Sequence, residues 1–168
     1  MIRSPASILT AILAVTAASG CSSPSNPATS STDTGLSSAC ASDPSFKAFA
    51  AGVSAEGTHG FTFQLIEADP PTPTQGTDGN SWTIKVTTAD GGMPDSLTLT
   101  SKCAMKMPGG ATSHDCSGGP PPVTPMGGGL YKVSPILFNM PGHWDVQFSV
   151  LNGTALVDRA AIGACIDQ

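Results

Sequence analysis

From Phe61 onward, apolar residues recur at every second position. Phe61, Phe63 and Leu65 alternate with polar neighbours, as do Trp82, Ile84 and Val86, then Leu97 and Leu99, then Trp144, Val146, Phe148 and Val150. A period of two sends successive side chains to opposite faces, so each run predicts a strand with one buried face. Leu130 to Val133 and Ala155 to Ile162 predict two more. Between the runs lie the turn and loop signals Asp69-Pro70-Pro71, Asp78-Gly79-Asn80, Asp90-Gly91-Gly92, Pro108-Gly109-Gly110, Gly127-Gly128-Gly129 and Asn152-Gly153. Asn152-Gly153 is the strongest two-residue hairpin signal. The stretch from Gly118 to Gly129 is too rich in Pro and Gly for a central strand and reads as an edge or a loop.

One helix is expected, and it is short. Ser42 or Asp43 can cap it, Pro44 suits its first turn, Phe46 and Phe49 lie three apart, and Gly52 can end it. Roughly six to eight short strands with turns at near-regular spacing predict an all-β fold, an Ig-like antiparallel β-sandwich with this one N-terminal helix. The Cys…Trp…Cys spacing of antibody domains is missing, so the expected likeness is architectural.

The N-terminal segment has a different character. Arg3 precedes an apolar run from Ala6 to Ala18, too short for a transmembrane helix and suited to a secretory signal. The run closes on Ala18-Ser19-Gly20-Cys21, which resembles the lipobox of bacterial lipoproteins. Residues 1–21 are therefore expected to be a lipoprotein signal peptide, with Cys21 lipidated as the first mature residue. Residues 22–39 are Ser, Thr, Pro and Asn with almost nothing to bury, the composition of a flexible tether. Residues 40–168 form the domain. The expected location is extracytoplasmic and membrane-anchored; Ser22 after the cysteine favours the outer membrane in a two-membrane cell.

Export changes the reading of the cysteines. With Cys21 given to lipid, Cys40, Cys103, Cys116 and Cys165 remain, an even number that suggests two disulfides and allows three pairings. The expected pairing is Cys103–Cys116, closing a hairpin, and Cys40–Cys165, joining the domain's ends. Neither pair has zinc-site spacing. The formal charge is −5 before Arg3 is lost, which argues against a nucleic-acid partner. Membrane contact is expected through the lipid anchor; the sequence names no protein partner.

Three tracts carry a family resemblance: "GNSWTIKVTTADGG" at 79–92, "KMPGG…SH" at 106–114 and "GGGLYKVSPILFNMPGHWDVQFSV" at 127–150. Together they resemble the YtkA-like domain of small bacterial exported proteins and lipoproteins, related in style to FixH-type modules. The resemblance spans about residues 60 to 150. It implies an Ig-like sandwich, no known enzymatic activity, and in some members a link to copper. The chain departs from the pattern after Met107-Pro108, where a single displaced histidine, His114, follows. His143 is a histidine the pattern does not require.

The candidate chemistry is correspondingly narrow. No nucleophile elbow, zincin helix or phosphate-binding loop is present, so no enzymatic activity is expected. His143 and Asp145 share a strand face, but no nucleophile accompanies them. Thioether and imidazole suit Cu(I), a soft ion. Met107, His114, Met140 and His143 are the expected copper ligands if both Met-Pro segments lie at one end of the sandwich. Met105, two residues from Met107, lies on the same face of an extended segment. The alternative is a metal-free structural or protein-interaction module, with the methionines filling core gaps.

Overall fold

The computed structural model describes residues 40, 49–76, 78–93, 96–107 and 114–167. The expected signal peptide with Cys21, the expected tether and residues 41–48, which hold most of the expected helix, lie outside the described residues. Of that helix's expected span, Ala51 and Gly52 form a turn, with Gly52 at φ 93°.

Eight strands follow among the described residues: β1 (Ser54–Glu56), β2 (Phe61–Asp69), β3 (Asn80–Thr88), β4 (Thr98–Met105), β5 (Val123–Gly127), β6 (Leu130–Ile136), β7 (Gly142–Asn152) and β8 (Ala155–Ile166). They build two antiparallel sheets, one in the order β1-β2-β3-β6-β5 and the other β4-β7-β8. Without β1, this is the four-plus-three strand order of a constant-type immunoglobulin domain. The likeness thus extends from architecture to topology. The Pro/Gly-rich stretch supplies β5, an edge strand, as its composition requires. No sequence pattern predicts the three-residue β1.

The alternating positions fill the space between the sheets. Phe63, Leu65, Trp82, Ile84, Val86, Val133, Trp144, Val146, Phe148 and Val150 are all fully buried. Phe138 sits between the two tryptophans, its ring centre 6.2 Å from Trp82 on β3 and 5.6 Å from Trp144 on β7. Phe49 covers the other side of Trp82 at 5.0 Å. In antibody domains a disulfide joins the sheets between the equivalent strands; here a cluster of tilted aromatic rings does so. Trp82 Nε1 finds no hydrogen-bond partner among the described residues, so burying this indole carries a polar cost that its packing must outweigh.

Four register shifts interrupt the described ladders, at Asn80/Trp82 and Pro125/Gly127 as well as in the β2–β3 and β7–β8 pairs. In the β2–β3 pair the register shifts between Leu65 and Glu67, so Ile66 has no opposite number and is left exposed. In the β7–β8 pair, Val150 faces Asp158 while Leu151 faces Leu156, which makes Val157 the extra residue. That shift lets Asn152 pair with Ala155 and leaves Gly153-Thr154 as the two-residue loop. The turn therefore lies one residue later than Asn152-Gly153. Gly153 has φ 59° and among the described residues no non-glycine has a positive φ, so glycine holds the first loop position, as in a II′ hairpin.

At this end of the sandwich the buried carboxylate of Asp158 ties β8 to the β1–β2 turn. It accepts N–H bonds from Thr58 at 2.8 Å, His59 at 3.0 Å, Phe61 at 3.1 Å and Arg159 at 2.8 Å. The carboxylate fits because residue 57 is glycine; a Cβ there would lie 2.2 Å from Asp158 Oδ2. Burial pushes the carboxyl upward, but the four backbone donors outweigh it and hold it below its ordinary value of 3.8. The resulting stabilisation is complete above that ordinary value and is lost as pH falls through the lower, folded-state one.

Asp158→Asn keeps the shape but turns an amide N–H₂ toward backbone donors. Denaturant unfolding at neutral pH should show a loss of about 2–3 kcal/mol. The variant should also lose part of the parent's fall in stability as pH drops below the carboxyl's ordinary value of 3.8. Parallel pH dependence in the two proteins would show that Asp158 does not carry that acid sensitivity.

Candidate metal centre at one end of the sandwich

The opposite end is organised around the last residues of β4. On one side β4 pairs with β7, with Cys103 facing Val146 and Met105 facing Trp144. On the other side residues 114–116 return along it. Met105 N–H donates to His114 O at 2.7 Å, Ala104 bridges to Asp115, and Cys116 N–H donates to Cys103 O at 3.3 Å. Cys103 and Cys116 sit at bonding distance, as do Cys40 and Cys165, which is the expected pairing. The hairpin is thus held by a covalent staple and by backbone bonds. Lys102 and Asp115 add an ion pair at 3.8 Å, too exposed to contribute much.

Alternation decides which side chains meet. Cys103 and Met105 belong to the inward phase of β4, and residues opposite each other in an antiparallel bridge share a face. Cys116 therefore accompanies Cys103, and both are buried. His114 takes the position opposite Met105 and is exposed. Met105 reaches across to residue 142, where a Cβ would lie 2.3 Å from its terminal carbon. Glycine at 142, with φ 139°, gives the thioether its room.

Of the four expected ligands, three belong to this face or its rim. Met107 lies two residues beyond β4 and is half-buried. Met140 is half-buried against the core, and its carbonyl accepts the Trp144 indole N–H at 3.0 Å. His114 stands opposite Met105. The fourth, His143, is turned away. It precedes Trp144 on β7, so when the indole enters the core the imidazole goes to the outer face of the three-stranded sheet. There its Nε2 lies 3.3 Å from Asp145 Oδ1. It lines a groove of about 340 Å³ with Lys106, Asp145 and residues 53–56 and 160–163. Its main chain serves the hairpin, through the Lys106 N–H bond to His143 O at 2.7 Å.

Among the described residues no group of three or more His, Cys, Asp or Glu side chains is placed to hold a metal ion. A site at this end would therefore depend on thioethers. The sequence places Met105, Met107 and His114 on one stapled hairpin, and the fold sets Met105 directly opposite His114. A second groove, of about 360 Å³, lies between the edges of the two sheets and is lined by Met93, Leu97, Leu99, Val123 and Tyr131. Tyr131 closes one side, its hydroxyl donating to Met93 Sδ at 3.1 Å.

Digestion without reduction should yield peptides linking Cys103 to Cys116 and Cys40 to Cys165, and no other pairs. Replacing both Cys103 and Cys116 by serine should cost about 3 kcal/mol in denaturant unfolding, the chain-entropy value for so short a ring. Comparison with family models, curated proteins and solved structures finds no match for this chain.

Proposed function

We propose that this chain is a non-enzymatic, lipid-anchored extracytoplasmic Ig-like domain that binds Cu(I) at the end of the sandwich where β4 meets residues 114–116. The supporting observation is the cross-strand pair of Met105 and His114, which share a face beside the Cys103–Cys116 staple. Met107 and Met140 supply further thioethers at the same end. The set suits a soft monovalent ion, with Met105 in place of the expected His143.

Residues 1–21 would deliver the chain across the membrane, and lipid on Cys21 would hold it there. Two disulfides agree with an oxidising compartment. The tether joins the domain at Cys40, which is bonded to Cys165 at the same end as the Met/His face. The resemblance to YtkA-like domains supports the same reading.

A second reading, a metal-free interaction module, is favoured by the groove between the β4 and β5 edges. Met126 on β5 is 57% exposed beside it. Titrating the oxidised protein with Cu(I) against a competing chelator separates the two. Met105→Leu and His114→Ala should each weaken binding about tenfold or more, which corresponds to about 1.4 kcal/mol. His143→Ala should leave it unchanged. Equal affinity in the parent and the Met105 and His114 variants would reject this site. Failure of the parent to bind Cu(I) would leave the interaction module.

A further inference from the structure

We propose that Asn152 is a site of spontaneous covalent modification, converting to aspartate and isoaspartate through a cyclic imide formed with Gly153. The described residues include three asparagines, and the fold treats each differently. Asn80 is buried and its amide is fully engaged. Nδ2 donates to Thr74 O at 2.9 Å and to Ile136 O at 3.1 Å, while Oδ1 accepts the Thr74 N–H at 2.9 Å. That carboxamide cannot swing toward its own main chain. Asn139 is exposed, but the residue that follows it is Met140, which carries a side chain where glycine has none.

Asn152 alone of the three combines exposure with a following glycine. Both residues are exposed, and nothing lies within 4 Å of where a Cβ on Gly153 would stand. The reaction needs only water. The main-chain nitrogen of Gly153 attacks Asn152 Cγ, its proton is lost, and ammonia leaves to give the five-membered imide. Water then opens either carbonyl. One opening gives aspartate; the other gives isoaspartate, whose main chain runs through the former side chain.

The position makes the change consequential. Asn152 pairs with Ala155 to close the two-residue loop between β7 and β8, the two longest strands. Isoaspartate inserts one carbon into the main chain at the residue that closes this loop. A two-residue hairpin tolerates only a few backbone conformations, so the terminal pair opens. Either product adds a negative charge at the hairpin tip. The extended pairing of Asn152 restrains the attack, so the native rate lies below that of the unfolded chain.

The test is to age the full-length, disulfide-intact protein at mildly alkaline pH in oxygen-18 water and map its peptides by mass. Asn152 should convert several-fold faster than Asn139, gain one heavy oxygen, and yield isoaspartate in excess. Asn80 should stay intact until denaturant is added. Asn152→Ser should abolish the signal from this peptide while the protein remains folded. Native conversion at Asn152 no faster than at Asn139 would overturn the proposal, as would conversion seen only in denaturant.

Discussion

The tilted aromatic cluster of Trp82, Phe138 and Trp144 is the contact on which the rest of this domain depends. It joins β3 to β7 across the sandwich, with ring centres about 6 Å apart. Both disulfides lie elsewhere, so large aromatic faces rather than a covalent bond hold the sheets together here. The same indole of Trp144 donates to Met140 O and stands opposite Met105. Core packing and the placement of the thioether face are therefore one problem. The orphaned Trp82 N–H shows the cost: its ring fills the core, while its polar atom goes unmatched among the described residues.

The two ends of the sandwich use different means of closure. At the β7–β8 turn a buried carboxylate gathers four backbone N–H groups, and the charge stays on Asp158 because those dipoles exceed the cost of burial. At the other end two disulfides take over, joining Cys103 to Cys116 and Cys40 to Cys165. The carboxylate clamp is sensitive to acid, whereas the staples respond to reductants. The Met/His face sits on the covalently closed end. Its hairpin backbone is thus held independently of the titration of Asp158.

Much of the fold was legible because one buried face imposes a period of two. Phe61, Trp82, Leu99, Val133 and Trp144 announced five strands, and every one of these residues is buried. The details that went unread come from pairing rather than from pattern. No local signal marks β1, whose three residues form a strand only because Ala55 lies against Phe63. The hairpin turn moved by one residue because the bulge at Val157 reset the register. Asp158 occupies an inward position of β8, which its sequence neighbours alone do not explain. Its partners, Thr58 to Phe61, are about a hundred residues away.

The candidate site divides along the same line. By itself, the sequence determined the supply of soft ligands, the cysteines available for two bridges, and the strands that carry both. Those depend on residue type and on a local period, which a linear chain displays directly. Tertiary structure decided which ligands share a face. Placing Trp144 in the core sends His143 to the opposite side of its sheet, and the return of residues 114–116 along β4 brings His114 to Met105. The reason is geometric: a one-residue step along a strand reverses the direction of a side chain. Its direction becomes a position only when the neighbouring strand is in register.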